Sequence, residues 1–139
     1  MSVGPVQRDD ATAEFFDGAA AGRFLLRQCS QGHLSEPSAT ACTTCGRAGL
    51  QWAAAAGGAT LVSWAVSYSR AAPGEPRART VLVIGELDEG PWWWAQLAGT
   101  DADDPAAGLA AGQRLRIEFR SPDGGLGAQL EPVPVFVLV

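Results

Sequence analysis

The chain has 139 residues, 47% of them hydrophobic and 18% charged, a balance that suits one folded core or a small domain with a metal-stabilised appendage. Its net charge of -5 and dispersed arginines argue against phosphate-backbone binding as the main task, and the absence of lysine excludes Schiff-base chemistry and a P-loop lysine. No apolar run reaches membrane-spanning length and residues 1–10 lack the cationic start and apolar stretch of a secretory signal, so the expectation is a cytoplasmic protein without disulfides.

Residues 1–10 carry no periodicity and are expected to fray. Thr12 reads as the N-cap of a short helix in which Glu14 sits in the first turn, Phe15, Phe16 and Ala19 form the apolar stripe and Gly22 marks the stop. Phe24-Leu25-Leu26 reads as a strand leading into Cys29. From Gln28 to Gly49 the apolar content beyond the cysteines and Leu34 is too low for folding by burial, so this stretch needs a staple.

Strand patterns follow. Thr60 to Ser69 alternates, with Val62, Trp64, Val66 and Tyr68 on one face. Thr80 to Leu87 is an apolar run, and the Asp88-Glu89-Gly90-Pro91 turn joins it to Trp92–Ala98 as a hairpin. A Gly-, Ala- and Asp-rich connection leads to Arg114–Arg120, where Leu115, Ile117 and Phe119 point inward. Val133 to Val139 is the fifth strand, and Pro134 marks it as an edge or a bulge. Count and spacing predict a mainly β protein with a small Greek-key barrel of the OB type; an open five-stranded sandwich is the alternative. Such strands are expected to bury their own core, so the barrel from about Gly57 should fold alone.

The chemistry-bearing residues lie in one segment. Cys42-Thr-Thr-Cys45-Gly46 has knuckle spacing, which lets two thiolates converge on one ion while Gly46 permits the tight turn. Cys29 and His33, with Gly32 before the histidine, form the other half. All 3 Cys and the single His of the chain fall here. Four such ligands complete a tetrahedral zinc and leave no open position, so one structural Zn2+ is the favoured reading. Buried thiols without metal, a redox pair and iron remain as alternatives. With His33 and all three thiols engaged, no nucleophile–base set is left, and no enzyme activity is expected from the chain alone. Asp88-Glu89 and Asp103-Asp104 read as turn and loop chemistry.

The order of these parts resembles the domain-of-unknown-function 35 family. The resemblance is carried by Phe15-Phe16-Asp17-Gly18, by Gly22-Arg23-Phe24-Leu25-Leu26-Arg27-Gln28-Cys29, by the Cys42–Cys45 knuckle and by Gly57-Gly58-Ala59-Thr60-Leu61-Val62-Ser63-Trp64. Gly85 to Gly90 and Pro134-Val135-Phe136 add to it. It implies an N-terminal helical piece over residues 1–22, a rubredoxin-like zinc ribbon over 23–56 and an OB-fold over 57–139. It also implies a non-catalytic accessory subunit that binds and stabilises a thiolase-like enzyme, of acyl-CoA thiolase or steroid side-chain aldolase type, and helps to hold the acyl-CoA. The family's usual ribbon has two CxxC pairs, whereas here Cys29 and His33 replace the first. The competing reading is a single-stranded nucleic-acid module with Trp64 and Tyr68 as stacking platforms, against which the acidic balance speaks.

Trp92-Trp93-Trp94 is the most unusual triplet. On a strand Trp92 and Trp94 share a face with Gln96, while Trp93 joins Ala95 and Leu97 on the more apolar face. Trp93 is therefore expected in the core. Trp92 and Trp94 are expected to be exposed and are assigned to a partner or acyl-CoA contact. The alternative is that residues 71–79 or 121–132 fold over them.

Overall fold

Residues 6–99, 106, 108–121 and 131–139 are described by a computed structural model. Asp103, Asp104 and residues 122–130 of the second covering loop lie outside the described residues. The first helix, α1, spans Ala13–Ala20 and turns Phe15, Phe16 and Ala19 inward. Thr12 makes no side-chain cap to it. Asp9 does the local capping instead, its Oδ1 accepting from the Thr12 N–H (2.9 Å) and hydroxyl (2.8 Å). The helix closes at Gly22, whose φ of 76° lets the Arg23 N–H reach back to the Gly18 carbonyl. Residues 6–12, before α1, are tied down rather than frayed, and residues 1–5 lie outside the described residues. Arg8 bridges Asp17 and Glu131, and Val6 packs on the core.

Two sheets follow. The smaller has the order β2-β1-β3, from β1 (Leu25–Gln28), β2 (Leu34–Ser35) and β3 (Gln51–Ala54). The larger is built from β4 (Gly58–Tyr68), β5 (Arg79–Leu87), β6 (Trp92–Gln96), β7 (Arg114–Arg120) and β8 (Val133–Leu138), in the order β6-β5-β4-β7-β8. A parallel bridge between Leu97 and Phe136 brings the two ends together. This is the curled five-stranded sheet of an OB barrel and not a sandwich of two sheets. Pro134 sits on the terminal strand β8, which pairs along its length only with β7, so its missing N–H costs no ladder bond. Gly85 is required by packing, since a Cβ there would lie 2.8 Å from the Phe136 ring.

One expected register is corrected. The β4–β5 ladder shifts between Leu61 and Ser63, so Val62 is the extra residue of a bulge. Ala59 and Leu61 face the core before it, and Trp64, Val66 and Tyr68 take over that face after it. Val62 therefore does not share the face of Trp64.

The core is also wider than the strand pattern predicts. Phe15, Phe16, Phe24 and Leu26 belong to the same buried cluster as Leu61, Val83, Leu97, Leu115 and Phe136. Trp93 is the joint. Its indole lies 5.3 Å from the Phe24 ring and 6.2 Å from Phe15, so α1 and β1 plug the barrel.

Candidate metal centre and aromatic face

The first half of the cysteine cluster is a hairpin between β1 and β2. Cys29 donates its N–H to the His33 carbonyl (3.0 Å), Gly32 donates to the Cys29 carbonyl (2.9 Å), and Gly32 has a φ of 85° that favours glycine. The second half turns around a sulfur. The N–H groups of Thr44 and Cys45 donate to Cys42 Sγ at 3.3 and 3.4 Å, and Gly46, at φ 75°, donates to the Cys42 carbonyl.

The two halves meet as the spacing predicts. The ligand atoms of Cys29, His33, Cys42 and Cys45 all lie within 4.8 Å of one another. Cys29 and Cys45 Sγ are 3.8 Å apart, and Cys29 Sγ is 3.5 Å from His33 Nδ1. A tetrahedron with Zn–S bonds of about 2.3 Å and a Zn–N bond of about 2.0 Å has edges of about 3.8 Å between sulfurs and about 3.5 Å from sulfur to nitrogen. The residues fit a zinc ion with His33 presenting Nδ1. Cys29 and Cys42 are buried, His33 is half-buried and Cys45 is exposed.

The protonation of the cluster agrees with a cation site. The Cys45 N–H, helped by that of Thr44 and opposed by burial, brings the Cys42 thiol down to about 6. The Cys45 thiol moves the other way: the Arg47 N–H favours its thiolate, but loss of hydration and the neighbouring Cys42 and Cys29 sulfurs outweigh that bond. Closely set sulfurs that resist joint ionisation ask for a positive charge between them.

Ser35 is the part that the sequence analysis missed. It is fully buried, and its Oγ accepts from the Thr43 N–H at 3.1 Å, which fastens β2 to the second knuckle. Only its place two residues after His33 hinted at this. Leu50 closes a small apolar cluster over Cys29 and Cys42. Arg27 lies over the Trp52 ring at 4.2 Å, joining β1 to β3. The turn acids are tied into the fold rather than simply solvated. Asp88 forms a two-pronged pair with Arg114 (2.8 and 2.9 Å), and Glu89 accepts from the Ala56 N–H (2.8 Å).

On the barrel, Trp92 is 57% and Trp94 66% exposed, whereas Trp93 is turned into the core. Trp94 stands opposite Ile84 on β5, itself exposed, so the outer face of β5 and β6 carries an aromatic–aliphatic patch. The 71–79 loop does not cover the two indoles.

Residues 52–120 match the family model described as "ChsH2, C-terminal OB-fold domain". This match and the structural likeness that follows support the resemblance of the chain to the domain-of-unknown-function 35 family. A solved structure named "Ltp2-ChsH2(DUF35) aldolase" shares the fold at a TM-score of 0.71 and 23% identity, over 98% of this chain and 98% of that one. No curated protein sequence matches the chain. In the terms of this family, the β-rich chain combines a curled OB sheet with a Cys/His cluster in the position of a zinc ribbon. Among the described residues no helix is long and apolar enough to cross a membrane.

Proposed function

We propose that this chain is a non-catalytic subunit that binds and steadies a thiolase-like enzyme of the acyl-CoA thiolase or aldolase type. The observation that carries the reading is the likeness over nearly the whole of both chains to one from an Ltp2-ChsH2(DUF35) aldolase. Two features of this chain agree with it. Among the described residues, the histidine and all three cysteines are gathered in one closed cluster, leaving no nucleophile–base set. Trp92 and Trp94 stand bare beside Ile84, the residue types and exposure of a binding hot spot. We assign the partner contact to that patch, and the acyl-CoA of the partner's reaction would be met on the same side.

Cys29, His33, Cys42 and Cys45 would hold one Zn2+. With four protein ligands the ion supplies no catalytic position; it neutralises the thiolates and ties the two knuckles together.

The test is co-expression of the full chain with a thiolase-like protein, followed by size-exclusion chromatography and binding measurements on the Trp92→Ser, Trp94→Ser double variant. Co-elution with the wild type and affinity weakened about tenfold or more in the variant, at nearly unchanged melting temperature, is the expected result. A large stability loss without a specific binding defect would place the contact elsewhere. Retention of single-stranded oligonucleotides on filters at physiological salt would favour the nucleic-acid reading instead.

A further inference from the structure

Two further surfaces complement each other, and the second shares only Trp94 with the patch assigned to the partner. The first is the far end of the β4–β5 hairpin. Among the described residues, β7 pairs with β4 only at Gly58–Thr60, extended to Leu61 by backbone bonds around Gln113, and β6 and Leu97 flank β5 only from Val81 onward. Beyond these points the hairpin runs on as a two-stranded arm. Its faces differ sharply. Trp64, Val66 and Tyr68 continue the core-facing side; Val66 still packs against the edge of the core, whereas Trp64 and Tyr68 are exposed, and Ser63, Ala65 and Ser67 form the other side. Trp64 is 37% and Tyr68 56% exposed.

The arm is also the basic part of an acidic chain. Arg70, Arg77 and Arg79 against Glu75 give it a charge of +2, which leaves -7 on the rest of a chain whose total is -5. All three guanidiniums are exposed, and Arg79 lies over the Tyr68 ring at 5.9 Å. Among the described residues Arg70 and Arg77 have no ion-pair partner.

The second surface is a cleft of about 900 Å3 between α1, the ribbon and β6. Phe15, Phe16, Trp52, Trp93, Trp94 and Ala95 contribute its apolar wall, and the exposed carboxylates of Asp10 and Glu14 stand at its rim. Neither carboxylate has an ion-pair partner among the described residues. Clefts of roughly 300–1,000 Å3 hold drug-sized molecules, so this one has room for a pair of aromatic side chains.

We propose that the cleft receives the arm of a second copy of this chain. Trp64 and Tyr68 enter between the aromatic walls while Arg70 and Arg77 meet Asp10 and Glu14 at the rim. Each copy has one arm and one cleft, so reciprocal insertion closes a two-fold dimer. An arm of about 20 residues matches the 20–30 residues per side of a standard interface. It also gives an uncovered two-stranded ribbon, which is marginal in water by itself, a surface to rest on. Trp94 lies in both this cleft and the patch assigned to the thiolase-like partner, so that partner competes with self-association.

The test uses the chain alone, and its outcome is independent of the partner reading. Sedimentation of the full chain over a concentration series is expected to show a monomer–dimer equilibrium that weakens as salt rises. The Arg70→Glu, Arg77→Glu variant and the Asp10→Lys, Glu14→Lys variant should each lose dimer affinity by about tenfold or more, because each then sets like charges against each other. Mixing the two should restore a heterodimer, since both arm–cleft contacts regain opposite charges. All four positions are exposed, and circular dichroism of each variant should match the wild type. A wild-type chain that stays monomeric, a dimer that ignores both reversals, or a mixture that fails to re-associate would each overturn the proposal.

Discussion

Replacing Phe15 with Ala is expected to destabilise the barrel, although Phe15 lies in the helix, far from every barrel strand in sequence. The ring is 7% exposed and touches Phe16, Phe24, Trp52 and Trp93, at centroid distances from 5.3 to 6.4 Å. An aromatic side chain buries on the order of 150 Å2 or more, which at about 25 cal/mol per Å2 is about 4 kcal/mol, within the range of about 3–5 kcal/mol for Phe→Ala in cores. Trp93 would then have open space where the ring had been, and collapse is limited because Trp93 is also held on β6 against Gly85 of β5. Urea unfolding followed by tryptophan fluorescence and by circular dichroism measures the loss. A midpoint shift equivalent to about 3 kcal/mol or more, seen equally by both probes, is expected. A loss below about 1 kcal/mol would refute the shared core and restore the self-sufficient barrel that the strand pattern predicts. By the same reasoning, a fragment of residues 57–139 lacks Phe15, Phe24 and Trp52 and should show no cooperative transition.

Two further outcomes concern the metal cluster and an ion pair. Purified protein should contain about one zinc per chain by elemental analysis, and Cys42→Ser, Cys29→Ser or His33→Ala should lose it and melt the ribbon, since structural zinc contributes on the order of 10 kcal/mol to folding such segments. Folded wild-type protein free of zinc would contradict this. The Arg114 guanidinium holds the Asp88 carboxyl below the usual carboxylate range, so the pair's stabilisation is present above that range and is lost as pH falls through the lowered value. Arg114→Ala should therefore melt slightly below the wild type at neutral pH, with the gap closing on acidification. A gap that persists in acid would assign the effect to something other than this pair.

The sequence alone determined the local chemistry. Cys29, His33, Cys42 and Cys45 could be read from spacing because a metal knuckle is specified by a few neighbouring residues and a glycine turn, and both glycines have the positive φ that this requires. The alternation of Arg114–Arg120, the turn at Asp88–Pro91 and the inward placement of Trp93 between two outward indoles were legible for the same reason: a strand has a period of two. The short strands β2 and β3 were not legible, since two and four residues carry no period and are held by pairing with β1. The bulge at Val62 was hidden as well, because only the register against β5 shows that one residue is extra. What tertiary structure alone decided is which elements share water-free space. Phe15, Phe24 and Trp93 are apolar in any reading, but hydrophobic burial has no direction along the chain, and only the closed sheet shows that helix, ribbon and barrel exclude water together.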